Sequence, residues 1–477
     1  MPVSIIATSI FILIPCFWQS HIESGDLGSH IYNAWLVQQI RQGHAPGLWI
    51  APQSTNVLFD LMLDWLVGKV GVATAQRLAV GLSVEVFFWG ALALVAAISR
   101  KVPWFVAPLL AILTYGTMFN GGMFNYYLAA GLSLAALAIL WRGTLWDAVV
   151  AAPLLALAWL GQPVPVLWAL AVFAYVLVAR LLTDRLRLWF FALSIAALLG
   201  ARHFILVHWK SIWYWRQIVH ATGAGQSFAL GHHYRFVTVG VWAISIAVLV
   251  HLLRTLGLKG MLTSIPVQVY FLSVLVPSLL PETIYFPAFK AFATSGLSHT
   301  IVFGAINYRL GWFAGVLICP LLAQVKNPAW YARAVAAVCL LYFVFLYQDD
   351  RAMNKLEARV EDIVATLPAN SSVIARLNYP PVDGSDQSMI LDRVCITRCV
   401  SFDNYEPATG EFRVRAHPGN SLVAWSVGSS DHFYGRSMQF FLTQPNGILY
   451  YIYQCGSASK DVCVRSVSRA EAGVLKE

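Results

Sequence analysis

Two carboxylates stand where an apolar run meets polar sequence. Glu23 and Asp26 follow directly on the apolar residues 3–19, and a helix-period pattern begins at Asp26. At about 100° per residue, Asp26, His30, Asn33, Val37 and Arg41 share one face. Ile31, Tyr32, Trp35, Leu36 and Ile40 spread over much of the rest. Such a helix can lie on a membrane surface and turn its polar stripe towards a cavity. A carboxylate fixed at that boundary suits a general base or a cation ligand. Asp26 also fits the N-cap of this helix, and one residue can do both jobs.

Cations that could meet a phosphate gather in two later loops. Residues 202–235 mix Arg202, Lys210, Arg216 and Arg235 with Trp209, Trp213, Tyr214 and Trp215, and hold five of the 12 histidines. Cations pair with phosphate oxygens, and rings stack on sugar faces or anchor at a membrane interface. An aromatic belt with snorkelling cations has the same composition. No ligand spacing makes His232-His233 a metal site. Residues 281–309 contribute Lys290 and Arg309. Arg309 enters an apolar helix, where a cation needs a partner, either a structural carboxylate or a ligand.

A second acidic stretch lies in the first loop, at residues 56–70. Asp60 and Asp64 are four apart and share a helix face. That face is either solvated or a second acidic wall near Asp26. Up to Tyr347 the chain has 19 Lys/Arg and eight Asp/Glu, so each acid can be placed. Glu23, Asp26, Asp60, Asp64 and Glu282 fall on one predicted side, Asp147 and Asp184 on the other, and Glu85 within a span.

What positions these groups follows from composition. The 477 residues are 58% hydrophobic and 12% charged, with net charge +9 and mean hydropathy +0.64. Soluble domains carry roughly 25% charged residues, so the chain belongs with polytopic membrane proteins. Predicted spans are 3–19, 78–98, 103–119, 124–141, 146–161, 165–182, 188–201, 236–253, 261–280, 301–323 and 329–347. The first is an uncleaved span, since no Lys or Arg precedes it and no cleavage site follows. With residue 1 inside, every inside loop carries a cation, while the turns at 120–123 and 162–164 carry none. That bias puts Glu23, Asp26, Asp60, Asp64 and Glu282, the basic loops and the tail outside. No basic run or RNA-binding motif is present, so nucleic acid is not an expected partner.

From residue 348 the chain has 13 Lys/Arg and 15 Asp/Glu. Residues 348–365 read as a charged helix. Short strand-like runs follow at 372–375, 412–415, 421–425 and 448–452. Cys395, Cys399, Cys455 and Cys463 lie here and imply two disulfides in an oxidising compartment. The local pairs are favoured, with the other two connectivities and a zinc site open. The expected fold is thus a polytopic α-helical membrane domain of about 11 transmembrane helices (residues 1–347, first outer loop 20–77), followed by a small extracytoplasmic α/β or mostly-β domain (348–477).

This arrangement resembles the GT-C superfamily of integral-membrane glycosyltransferases. The residues that carry the resemblance are Glu23-Ser-Gly-Asp26-Leu-Gly-Ser-His30-Ile-Tyr-Asn-Ala-Trp35, similar to that family's acidic first-loop motif and juxtamembrane helix. The resemblance implies sugar transfer from a polyprenyl-phosphate-linked donor to a lipid, glycan or protein acceptor, on the extracytoplasmic face of a bacterial inner membrane. It makes Asp26 the catalytic carboxylate, with Glu23 the nearest second acid. His30, Asn33, Lys210, Arg216, Lys290 and Arg309 are the expected substrate-binding residues. A divalent cation, Mg or Mn, on Asp26 and Glu23 could assist but is not required. The chain departs from protein O-mannosyltransferases, which have paired adjacent acids, and lacks the Trp-Trp-Asp tail motif of oligosaccharyltransferases. The run Asp403-Asn404-Tyr405-Glu406, with Phe412-Arg413-Val414-Arg415, is similar to bacterial proteins of this architecture and implies no function by itself.

Two other classes compete. A transporter or lipid flippase needs midplane acids or broken helices repeated in two halves; Glu85 is the main mid-span acid, and no internal repeat is apparent. A non-catalytic scaffold would keep the architecture and dispense with Asp26.

Overall fold

The computed structural model describes residues 2–141, 143–287, 300–325, 328–377, 389–402, 404, 406, 412–417, 425–426, 440–441, 448–456 and 461–467. Among the described residues, five helices are long and apolar enough to cross a membrane: Val72–Ser99, Pro163–Leu181, Asp184–His208, His232–Thr263 and Ala329–Thr366. Six shorter apolar helices accompany them, at Ser4–Cys16, Trp104–Asn120, Phe124–Leu140, Trp146–Gly161, Ile265–Leu279 and Ile306–Leu322. The helix Asp184–His208 is instructive. It is strongly apolar, yet none of its residues is buried by the rest of the chain. A helix of that kind needs an apolar surrounding other than protein, which is what a bilayer supplies.

The helices pack closely where side chains are small. Helix Val72–Ser99 lies along Phe124–Leu140, and a Cβ at Gly90 would sit 2.2 Å from the Gly131 carbonyl oxygen. Backbones can approach that closely only where both positions are glycine or similarly small. The turn at residues 121–123 leads into Phe124–Leu140 and packs against Asp26.

Two loops differ from expectation. Helix Asp184–His208 continues past the predicted span end at 201, so Arg202, His203 and His208 are helical rather than loop residues. Residues 301–303, predicted to open a span, are instead in the strand Thr300–Phe303. That strand pairs with Thr283–Pro287, which pairs with Ser211–Ile212, all antiparallel. Alternation over so few residues carries little period signal, which is why the sequence did not show this small sheet.

The charged segment 348–365 is the far half of one helix, Pro328–Thr366. At 39 residues it extends about 58 Å at 1.5 Å per residue, well beyond a hydrocarbon core of about 30 Å. Beyond it, four strands form a mixed sheet in the order Val462–Val467, Leu449–Gln454, Ser371–Arg376, Cys399–Ser401. Both cysteine pairs close locally, Cys395–Cys399 at 2.04 Å and Cys455–Cys463 at 2.05 Å.

The tail is also stitched to the first loop. Strand Leu48–Ile50 pairs antiparallel with Val414–Ala416, matching Trp49 to Arg415. Ala51 N donates to Arg413 O at 2.8 Å and His417 N to Gly47 O at 2.9 Å, extending the ladder at both ends.

Candidate functional site

The helix that begins after Asp26 runs from Leu27 to Arg41. It is more enclosed than a surface helix should be, with ten of its 15 residues buried. Its polar stripe meets a second helix, Leu58–Val70, and tail residues cover Tyr32 and Leu36. The second helix instead exposes Leu61 and Trp65, four apart on one face, and is the better candidate for lying against lipid.

Asp26 occupies the N-cap position, but its side chain makes no capping hydrogen bond. What holds it is the turn at 121–123. Asp26 N donates to Gly121 O at 3.4 Å, and Ser24 Oγ donates to Phe119 O. Gly122 has φ +73°, and a Cβ there would stand 2.2 Å from Asp26 N. Burial raises the Asp26 pKa above the ordinary aspartate value, against the pull of His30 and Arg309. A half-buried carboxylate with raised basicity and two cations in reach has the properties of a general base.

Gly122→Ala should therefore displace Asp26. Gly43→Ala is the matched control, because Gly43 has φ +76° with nothing within 4 Å of a Cβ. Both changes carry the left-handed backbone cost of roughly 1–2 kcal/mol; only Gly122→Ala adds the collision. We expect Gly122→Ala to lower activity about 100-fold, with Gly43→Ala close to wild type, in a comparison of turnover and unfolding midpoint. Equal behaviour of the two would remove the positioning role of the turn.

His30 is held from three sides. Its Nδ1 lies 2.6 Å from Asp60 Oδ1, and Asn125 Nδ2 donates to Asp60 Oδ2 at 2.7 Å. Asn125 Oδ1 in turn accepts from Phe59 N at 2.8 Å, so one amide caps the helix and orients its carboxylate. Burial lowers the His30 pKa, but Asp60 overrides this and lifts it to about 9. The imidazolium is present at neutral pH, and the ion pair is lost as pH rises through about 9. Glu406 completes the group from the tail. Burial and then Asp60 push its carboxyl well above the usual range, against the pull of His30. Three acids (Asp26, Asp60, Glu406) thus share the field of His30, with Arg309 acting on Asp26.

Asn33 does not point an unsatisfied amide into this group. It exchanges hydrogen bonds with Asn404, Nδ2 to Oδ1 at 3.1 Å and the reverse at 2.9 Å, and also donates to Ser29. Its role is to join the helix to the tail, two residues before Glu406.

Glu23 has a different partner set from Asp26. Its Oε2 accepts from Arg393 Nη2 at 3.1 Å, and Arg393 also binds both oxygens of Glu357 and donates to Ile22 O at 2.9 Å. All three side chains are buried. Burial and Glu357 hold the Glu23 pKa well above its usual range, with Arg393 opposing. The adjoining cavity is about 10 Å³, room for a water at most. Asp64 is likewise structural, gripped by Arg41 at 2.8 and 3.0 Å and by Arg413 at 2.9 Å.

The four candidate phosphate partners separate. Arg309 lies 5.8 Å above the Tyr126 ring, and Tyr126 Oη donates to its carbonyl at 2.6 Å. Asp26 lies within its electrostatic field. Lys210 sits 5.0 Å over Tyr285 and Arg216 5.8 Å over Trp215; neither is among the charges acting on Asp26. Lys290 lies outside the described residues. Glu85, the acid a transporter would use, accepts from Ser9 at 3.0 Å and Trp89 at 2.6 Å.

No family model, curated protein or solved structure matches this chain. Sequence pattern located Asp26, His30 and Arg309 but missed Asn125, Asn404 and Glu406 as members. The tail run containing Asn404 and Glu406 was noticed, yet no spacing rule links it to residues in the first loop.

Proposed function

We propose that the protein is an integral-membrane glycosyltransferase with a GT-C-like arrangement, moving a sugar from a polyprenyl-phosphate donor to an acceptor on the extracytoplasmic face. The supporting observation is the placement of Asp26 at the start of helix Leu27–Arg41, its backbone bonded to the 121–123 turn beside the His30–Asp60 pair, with Arg309 contributing to its field. Asp26 takes the proton of the acceptor hydroxyl as its oxygen attacks the anomeric carbon. The bond from that carbon to the phosphate oxygen breaks, and the lipid phosphate leaves with the electron pair. Arg309 and the His30 imidazolium offset the charge that develops on the phosphate. Direct displacement inverts the anomeric configuration.

A divalent metal on Asp26 and Glu23 does not fit these residues. Asp26 is already offset by the field of His30 and Arg309, and Glu23 is committed to Arg393 rather than turned towards Asp26. The cations already present serve the leaving group in this scheme. The six shorter helices are taken as tilted or partial crossings, giving about 11 in all, with the tail outside.

Purified protein supplied with polyprenyl-phosphate hexoses and pentoses should release polyprenyl phosphate only when an acceptor is glycosylated. Failure with every such donor would overturn the proposal. Movement of an intact lipid-linked sugar across vesicles would put a flippase in its place. A cysteine at Trp215 should label from outside and one at Arg185 should not; the reverse pattern would put the site on the wrong face for such donors.

A further inference from the structure

A cavity of about 560 Å³ lies between the Leu27–Arg41 helix and the tail. Small-molecule sites usually occupy about 300–1,000 Å³. Tyr32, Trp35 and Gln39 form one wall; Asn370, Thr397 and Arg398 form the other. At about 100° per residue the helix wall is turned away from Asp26 and His30. The two faces are nevertheless linked, because Asn404 lines the cavity and pairs with Asn33.

The chemistry of the lining is selective. Trp35 is partly exposed, with its ring 5.5 Å from that of Tyr32, which makes an aromatic wall. Gln39 and Asn370 bring amides, and Arg398 an exposed guanidinium with no ion pair among the described residues. Among the described residues the lining has no carboxylate. Metal ions and basic peptides are poorly served by such a surface. Saccharides suit it, since their C–H faces pack on aromatic rings and their hydroxyls both donate to and accept from amides.

The tail wall is also held in a costly conformation. Asn370 and Thr397 have φ +60° and +66°, where non-glycine residues are uncommon and a β-branched threonine is an outlier. The Cys395–Cys399 disulfide closes the turn around Thr397, and Asn370 N donates to Arg398 O at 2.9 Å. Strain of this kind persists where surrounding structure enforces it, and it clusters at ligand sites.

We propose that this cavity binds an oligosaccharide, the sugars of the acceptor remote from the reacting hydroxyl, with Trp35 as the stacking platform and Arg398, Gln39 and Asn370 as the polar contacts. The word acceptor rests on the transferase proposal; saccharide binding does not. The test is saturation-transfer difference NMR on full-length protein in lipid nanodiscs, with maltotetraose, chitotetraose and an arabinofuranose tetrasaccharide as probes. Ring protons of at least one probe should be saturated by wild type. Trp35→Ala should reduce that signal at least tenfold. Arg398→Ala, a change at an exposed position, should reduce it at least twofold with the unfolding midpoint unchanged. No saturation with any probe, or equal saturation in wild type and both variants, would overturn the proposal. Trp35-dependent binding without transfer from any donor would keep the cavity and discard its acceptor role; transfer without such binding would discard the cavity and keep the transferase.

Discussion

Asp26→Asn should fold as the wild type does and lose about 10²–10⁴ in transfer rate, the usual cost of removing a general base. Asparagine keeps the size of the side chain and its ability to cap, so helix Leu27–Arg41 has no reason to fray. The structure sharpens this test, because the Asp26 side chain makes no capping bond to lose. Removing a half-buried charge also relieves the desolvation that raises its pKa. Stability should therefore be unchanged or slightly higher while turnover falls. Arg309→Gln belongs beside it. If Arg309 stabilises the leaving phosphate, its loss should slow a donor with a poor leaving group more than one with a good leaving group. Asp26→Asn protein that retains full activity would end the catalytic assignment.

Arg393→Leu should act on folding. The substitution leaves Glu23 and Glu357 buried and facing one another without their shared cation. Removing one partner of a buried ion pair costs about 3–5 kcal/mol, chiefly from the charge left behind. Both acids then have to take up protons or drag water inward. The site suffers as a consequence, since Arg393 also holds the Ile22 carbonyl just before the acidic motif. Adding Glu23→Gln and Glu357→Gln to Arg393→Leu should recover much of the loss, because neutral amides tolerate the vacancy better. Thermal unfolding of the wild type, the single variant and the triple variant decides. A single variant as stable as wild type would show that the triad is not holding the tail to the first loop.

These two expectations mark what could be read from sequence. The apolar runs gave the long helices, because a span needs nothing but its own composition. Asp26 was conspicuous as an acid at the end of such a run, and Asp60 and Asp64 were visible as a pair on one face. Their separate fates were not visible. Asp60 turns to His30 and Asn125, while Asp64 is consumed by Arg41 and Arg413. Periodicity assigns both to the same face and says nothing of which partner waits there. Glu23 shows the same limit. Three residues from Asp26, it faces Arg393, a residue of the tail. Contacts between the first loop and the tail follow from tertiary packing, which leaves no local signature in either segment. Short strands such as Leu48–Ile50 and Thr300–Phe303 were missed because three or four residues cannot establish a period.

The ladder between Leu48–Ile50 and Val414–Ala416 has a consequence for how the protein is made. The acidic loop emerges from the ribosome early. Its partners Arg393, Asn404, Glu406 and Arg413 emerge only after nearly all the membrane helices have been inserted. Through that interval the loop carries its carboxylates without the residues that neutralise and cover them. A nascent chain halted before residue 393 would already hold Asp26, His30 and Arg309, yet lack Arg393 beside Glu23, Asn404 beside Asn33 and Glu406 in the field of His30. On the transferase proposal, activity then arrives only with the tail, and the order of translation keeps a partly synthesised chain from reacting at the membrane.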